Sequence, residues 1–545
     1  MINYDNDVEL VLNLNEVTAN AEALKLTSIA EVQHRPEWPQ WEHGIHEELA
    51  TLHKASTWEL IDPPAGANIV GSKWVFRAKK DATGNVICYK ARLVAQGFSQ
   101  VPGIDYFDMY APVAKLASIR TVLTLAARQD LELHQVNIKG AYLNGELTDG
   151  KCIYMRQPPG YGNPTHPKRV CRLHKTLYGL KQSSRRWYQK LMQILVVKLH
   201  FKQCTIDQAV VVKHGPTTLI IIVVHVDDCT IAASSLALII AFKAELTKHV
   251  KITDLGELHW LLGIEVTRNR EEHSLTLSQR SYLDSIIRRF NFDDLKPVSS
   301  PMELNVRLST SQSSSTGAGY AAMQHIPYQE AVGSLMYAAL GTQPDISYAV
   351  TNVSRFSSNP GTPHWDAIRR IYRYLLGTKD LRLTYGGVEK ALVGYTDADG
   401  SMDEDRKAIS RYAFLIDGGA VSWSSKKQEI VSLSTTESEY VAATHATKEA
   451  LWLRSLIAEV FSPVEGPITL FSDNQSAIAL VKDHQYHART KHIDVRFNFI
   501  CWVIDDGKLC LIFCPTNDMV TDSLTKALPL PKVKHFAAEL GLHMA

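Results

Sequence analysis

Apolar and polar positions alternate with a helical period from Trp38, where WPQWEHGIHEELATLHKASTWEL predicts an amphipathic helix ending before the turn Asp62-Pro63-Pro64. The segments SKWVFRAKK and VICYKARLVAQGF alternate instead with a period of two. They flank Asp81-Ala82-Thr83-Gly84-Asn85, which predicts a β-hairpin. SIRTVLTLAARQD returns to helical spacing, and LELHQVNIKGAYLNG reads as a strand running into a loop. LIIIVVHVDDCTIAA is a β-branched run, a polar tip and a second apolar run, which predicts a buried hairpin with His225 to Asp228 at its bend. A helix is expected over SQRSYLDSIIRRF, and a Gly/Ser-rich linker over Ser309 to Gly319. Helical segments then lead to Gly386-Gly387, beyond which strands and helices alternate. Residues 1 to 35 are polar without a clear period and read as a tail or linker.

At 545 residues the chain has room for several domains, and with 45% apolar and 21% charged residues it needs no disulfide or metal staple to fold. Lys plus Arg number 58 and Asp plus Glu 57, so bulk charge neither announces nor excludes nucleic acid. The eight cysteines are scattered without a CxxC pair, which fits a reducing compartment and argues against a zinc site. The N-terminus lacks a basic, secretory-type leader, and the longest strongly apolar runs are too short to span a bilayer. A cytoplasmic location is expected, with virus-like particles or the nucleus as the other options, and no membrane partner.

Two acidic constellations carry candidate chemistry. Asp227 and Asp228 share a hairpin tip, where adjacent carboxylates would call for a cation; an exposed turn is the other reading of the spacing. Asp397 and Asp473 end apparent strands, Glu439 lies in a helix, and Asp522 lies at or near the start of another, SLTKAL. Four such carboxylates can converge on two divalent ions, which suit phosphodiester cleavage; four ordinary surface acids would have the same order. Ser434 to Glu437 forms a capping box opening the helix of Glu439, whose buried stripe runs Tyr440, Ala443, Ala446, Ala450, Leu453 and Ile457. Between Pro167 and Lys190 there are eight Lys/Arg and no acid, and Lys73 to Arg92 adds six against Asp81 alone. Aromatic residues interleave both runs, as in a phosphate-tracking groove with stacking rings, although a solvated face has a similar composition.

The wording of these segments resembles the copia-type LTR retrotransposon polyprotein, in its reverse transcriptase and C-terminal RNase H parts. TWELIDPPAGANIVGSKWVFRAKK through APVAKLASIR is similar to the family's fingers, and HQVNIKGAYLNGEL, LHKTLYGLKQSSRRWY, HVDD and DLGELHWLLGIEV to its palm and thumb. YTDAD, SWSSKKQEIVSLSTTESEYVAAT, LFSDNQSAIAL, HARTKHIDVRFNFI and SLTKALP resemble its RNase H domain. The resemblance implies an α+β / α/β multidomain chain: a tail over 1–35, a right-hand polymerase (fingers, palm, thumb) over 36–300, and a Ser-rich linker and helical connection region over 301–386. An RNase H-like mixed-sheet domain over 387–530 and a C-terminal tail over 531–545 complete it. It implies Arg92, with Lys73, on the incoming triphosphate, Tyr142 as the sugar gate and Gln182 in the nucleotide pocket. Lys181, Arg185, Arg186, Leu262 and Gly263 would contact nucleic acid, the last two as the primer grip. Asp227, Asp228, Asp397, Glu439, Asp473 and Asp522 would hold Mg²⁺ or Mn²⁺, two ions per active site. Implied partners are an RNA template, a DNA primer, RNA–DNA hybrid and dNTPs, with gag and integrase encoded elsewhere.

The chain departs from the family pattern at four places. Asn137 stands at the family's first polymerase aspartate, His225 at its tyrosine, Ser183-Ser184 at its Ala-Pro, and Gly400 at its tryptophan. An amide carries no charge and its NH₂ repels a cation, so strand synthesis is expected to be impaired while RNA cleavage persists. The alternatives are a hybrid-specific ribonuclease only, or a non-catalytic nucleic-acid-binding remnant of a transposable element.

Overall fold

The computed structural model describes residues 29–80, 86–147, 152–304, 306–399, 407–432, 434–482 and 494–544. The turn at Asp81–Asn85, position Gly400, the HARTKH segment and residues 1–28 lie outside the described residues. The chain is a mixed α/β, multidomain protein in two compact units. One takes the residues up to Ala114 and His134–Gly256; the other takes Lys115–Leu133 and everything from Glu257.

In the first unit, β1 (Ser72–Lys80) and β2 (Val86–Ala95) form the expected antiparallel hairpin. Trp74, Phe76, Ala91 and Leu93 bury one face against α1 (Trp38–Lys54), where Trp41 meets Phe76 edge-on at 5.4 Å. Gly44 permits this approach, since a Cβ there would sit 2.8 Å from the Tyr89 carbonyl oxygen. The end of the expected tail is not a tail: Ile29–Gln33 is helical and seats Val32 in this core.

A six-stranded sheet carries the acidic hairpin. Its order is β7 (Ile252–Glu257), β3 (Glu132–Ile138), β6 (Asp228–Ala233), β5 (Leu219–His225), β4 (Val210–His214) and a short edge strand, Lys202–Gln203. Ile222, Val224 and Ile231 pack with Trp187 and Leu191 of α3 (Ser183–Met192) and with Ile239 and Phe242 of α4 (Leu236–Thr247). Burial on both faces explains why β5 reads as an unbroken apolar run rather than an alternating one.

In the second unit, α2 (Leu116–Arg128) is buried from Ser118 through Ala127. Arg120 fastens it from inside, donating to the carbonyls of Val421, Leu340 and Gly341 and lying 4.0 Å from the Trp423 ring centroid. One sheet joins Trp260–Leu261, β8 (Ile264–Asn269), β9 (Ser274–Ser278), β10 (Leu381–Tyr385) and β16 (Leu542–Met544). A second has the order β13 (Gly419–Lys427), β12 (Ile409–Ile416), β11 (Val393–Asp399), β14 (Ile468–Ser472), β15 (Leu509–Phe513). Its first three strands are antiparallel and its last two run parallel to β11; α5 (Thr435–Val460) crosses from β13 to β14.

Ser309–Gly319 is folded rather than a loose linker: Ser309 and Gln312 cap a 3-10 turn, Thr316 caps the helix Gly317–Met323, and Ser314 donates to the Pro360 carbonyl at 2.9 Å. Ser and Thr serve there as backbone caps, which composition cannot separate from flexibility. The C-terminal segment is not a tail. α6 (Leu530–Glu539) buries Val533, Phe536 and Ala537, and Leu542 pairs with Leu383 across β16 and β10. The apolar spacing Val533, Phe536, Ala537, Leu540 already carried a helical period. No helix among the described residues is long and apolar enough to cross a membrane.

Candidate active sites and nucleic-acid surface

The β5–β6 hairpin turns at Val226-Asp227, with His225 paired to Asp228. Val226 has φ +58°, a left-handed conformation that costs a β-branched residue on the order of 1–3 kcal/mol. Two bonds hold it there. The Trp187 indole donates to the Val226 carbonyl at 2.7 Å, and the Ile138 amide donates to the Asp227 carbonyl at 2.8 Å. The second bond fixes β3 against the turn, so Asn137 faces Asp228, as the family order implied, and its Nδ2 donates to Asp228 Oδ1 at 2.9 Å. Burial raises the Asp228 carboxyl above the usual range; the Asn137 amide opposes this and the Asp227 charge adds to it. His225 is buried, and desolvation holds its imidazole down at about 4.

Two expected nucleotide-pocket residues, Arg92 and Tyr142, gather around a residue that motif reading missed. Arg92 lies 4.6 Å from the Tyr178 ring centroid, and Tyr142 meets Tyr178 edge-on at 4.9 Å. Burial pushes the Tyr178 phenol up to about 12; the Arg92 charge opposes this, and Asp227 and Tyr142 add to it. Tyr178 was visible only as part of LHKTLYGLKQ. Ser184 donates to the Tyr142 hydroxyl at 3.3 Å. Lys73 shares the hairpin face of Arg92, opposite Trp74 and Phe76, and is exposed. Gln182 is buried and engaged: it accepts from Gln100 at 3.1 Å and donates to the Asp105 carbonyl at 3.2 Å, so it ties down the loop over Gly97–Tyr110.

The acid-free run is not acid-free in space. Arg169 pairs with Asp62, Arg172 with Glu59, Arg185 with Asp108 and Lys190 with Glu146. These are partly exposed pairs worth roughly 0–1 kcal/mol each, so a phosphate can displace the carboxylates at little cost. Lys181 is exposed, and Arg186 donates to Gln189 at 3.2 Å. Beside Arg185, the Gly97–Tyr110 loop exposes Phe98 and Phe107, a pair of rings that the charge count did not single out. Leu262 and Gly263, in the second unit, form the turn before β8 with φ of +53° and +76°, and the Tyr337 hydroxyl donates to the Leu262 carbonyl.

The second acidic site lies on the mixed sheet of the second unit. Ser434 caps α5 through the Glu437 amide at 3.1 Å, and the expected stripe from Tyr440 to Ile457 is buried. This presents Glu439 to β11, where its Oε2 accepts from the Ala398 amide at 3.0 Å. Carboxylate oxygens of Asp397, Glu439 and Asp473 lie within 4.8 Å of one another. Burial foremost raises Asp397 to about 6, with Arg411 opposing and Asp473 and Asp522 adding. Burial and then the Asp397 charge push Glu439 up to about 10. Three acids so close repel one another when ionised, and a divalent cation would relieve that repulsion.

Asp522 needs correction. It sits in a 3-10 turn, Val520–Leu524, rather than opening an α-helix, and it is not among the three clustered carboxylates. Its Oδ2 lies 2.9 Å from Lys526 Nζ, although its charge still acts on Asp397.

Residues 55–304 match the family described as reverse transcriptase (RNA-dependent DNA polymerase). The chain is similar to the Retrovirus-related Pol polyprotein from transposon TNT 1-94 of Nicotiana tabacum, at 41% identity over 95% of this chain and 39% of that one. A transposon Ty5-1 protein of Saccharomyces cerevisiae is 31% identical over 58% of this chain and all (100%) of its own length. A foamy viral protease–reverse transcriptase solved with double-stranded DNA aligns with TM-score 0.48 at 13% identity, covering 88% of this chain and 70% of that one.

Proposed function

Given that the chain belongs to the copia-type retrotransposon Pol family and carries its reverse transcriptase domain, we propose that it cleaves the RNA strand of RNA–DNA hybrids at the Asp397 site and is impaired in strand synthesis at the Asp227 site. It spans 39% of the tobacco polyprotein, so RNA template, DNA primer, dNTPs, gag and integrase are proposed partners.

The observation that carries this reading is the contrast between the two acidic sites. At the Asp397 site, three carboxylates within 4.8 Å, two of them raised by burial and by their mutual repulsion, fit a divalent cation. Asp397, Glu439 and Asp473 would hold Mg²⁺ or Mn²⁺, and Asp522 would complete the set from its turn. Such ions, when bound, stabilise the attacking and leaving oxygens of a phosphodiester. The chain's own part is positional: α5 and the Ala398 amide aim Glu439, and the Thr516 hydroxyl, donating at 3.1 Å, steers Asp473.

The Asp227 site does not fit an ion pair. Asn137 directs its NH₂ at Asp228 Oδ1, and of the three family positions only Asp227 and Asp228 carry carboxylates. Loss of the third carboxylate is worth about 4 kcal/mol, or roughly a thousandfold in rate. Arg92, Tyr142 and Tyr178 would still bind a nucleotide, and the exposed rings of the Gly97–Tyr110 loop, which Arg185 contacts, a template base.

The test is a paired assay on purified full chain with Mg²⁺, scoring hybrid cleavage and primer extension together. Cleavage without extension is expected; extension at full rate with no cleavage would reverse the assignment.

A further inference from the structure

Opposite Asp397 in the β11–β12 ladder lies a buried guanidinium that the proposed chemistry does not use. Arg411 is the cross-strand partner of Asp397 in the β11–β12 ladder, so the two side chains leave the sheet on the same face. It is completely buried. Its Nε donates to Ser425 Oγ at 3.4 Å and its Cζ lies 5.5 Å from the Tyr348 ring centroid, but neither Nη1 nor Nη2 has a hydrogen-bond partner among the described residues. Ser425 in turn donates to the Leu524 carbonyl at 3.3 Å, in the turn that carries Asp522. Arg411 is therefore in register with Asp397 and linked through Ser425 to the turn that carries Asp522.

A buried arginine whose outer nitrogens are unbonded is costly unless opposite charge lies nearby. The acids acting on it are Asp397, Asp399 and Glu439. We propose that Arg411 is a positioning residue that serves the carboxylate cluster as a resident counter-cation: it holds Asp397 and the Asp522 turn together before a divalent ion arrives, and its charge competes with that ion. The competition rests on the reading of the cluster as a metal site; the electrostatic tie between Arg411 and Asp397 does not. A chain built this way needs more free divalent ion than one whose cluster has no internal cation, because part of the negative charge is already offset.

The experiment separates the two parts. On full chain in EDTA, thermal melting is measured for wild type, Arg411→Met, Asp397→Asn and the double variant. Coupling is expected: Asp397→Asn should raise Tm by on the order of 2 °C more in the Arg411→Met background than in wild type, because without the arginine the buried carboxylate has nothing to offset it. Equal shifts in both backgrounds overturn the proposal, as does an Arg411→Met chain that fails to fold with or without Asp397. Folding of the double variant alone is coupling in its extreme form and supports it. Titration with Mn²⁺ alone, followed by calorimetry, then tests the competition. Arg411→Met should bind about tenfold more tightly than wild type, while Arg411→Lys stays close to wild type. Coupling without any gain in Mn²⁺ affinity overturns the competition. If no variant binds Mn²⁺ at a site that Asp473→Asn removes, the metal-site reading fails, and the melting cycle still decides Arg411.

Discussion

Asn137 Nδ2 and Asp228 Oδ1 are 2.9 Å apart, joined by a hydrogen bond across adjacent strands. The bond satisfies a half-buried carboxylate that would otherwise face Asp227 unaided. On the function proposed above, the amide that stabilises the hairpin also stands where a cation would bind, so stability and strand synthesis should move in opposite directions.

Asn137→Asp replaces the donor with a third carboxylate. Primer extension with Mg²⁺ should rise by about a thousandfold from its basal level, and hybrid cleavage should stay unchanged. In EDTA the same variant should melt lower than wild type, since a donor to Asp228 is exchanged for a like charge. Extension as fast in wild type as in the variant would refute the role given to Asn137.

Asp473→Asn should abolish RNA cleavage while leaving basal extension as it was. The remaining pair, Asp397 and Glu439, should gain stability in EDTA, because Asp473 contributes to the repulsion that raises both. Residual cleavage above about one part in a hundred would show that Asp473 is not needed for the chemistry.

Trp187→Phe keeps most of the buried ring and deletes the donor to the Val226 carbonyl. A loss of about 1–2 kcal/mol in urea unfolding is expected, because a buried acceptor in a strained turn is left unmet. In the Asn137→Asp background extension should fall as well, because the turn carries Asp227.

Asp345 is fully buried, accepts from the Tyr374 hydroxyl at 2.5 Å, and is raised by desolvation from 3.8 to about 6. The folded carboxyl holds its proton where the unfolded one has lost it, so stability is complete below about pH 4 and is lost as pH rises through 6. Asp345→Asn should therefore be more stable than wild type by about 3 kcal/mol at pH 7, with the gain vanishing near pH 4. A difference that does not change with pH would contradict the assignment.

The local elements were legible because they rest on short-range physics. Period-two alternation marks β1 and β2, an unbroken β-branched run marks β5, and the Ser434 capping box with its stripe marks α5; each is a property of neighbouring residues. The motif order also named the carboxylates that assemble, because strand ends and helix starts are where a sheet can bring them together. The apolar period of α6 is equally present in the sequence, although the chain end reads as a tail until the α6 contacts and the pairing with β10 fix it in the fold.

By itself, then, the sequence determined which segments are strands and helices, which acids are candidates, and that an amide stands where a carboxylate is expected. Only the tertiary structure decided what faces what. It placed α2 in the second unit, around a buried Arg120; it matched the eight-cation run with Asp62, Glu59, Asp108 and Glu146 from other segments; it left Asp522 outside the tight carboxylate group; and it set Arg411 opposite Asp397. The reason is the range of the forces. Secondary structure follows from spacing along the chain, whereas charge pairing, desolvation and pKa shifts depend on separations of a few ångströms between residues that can be hundreds of positions apart.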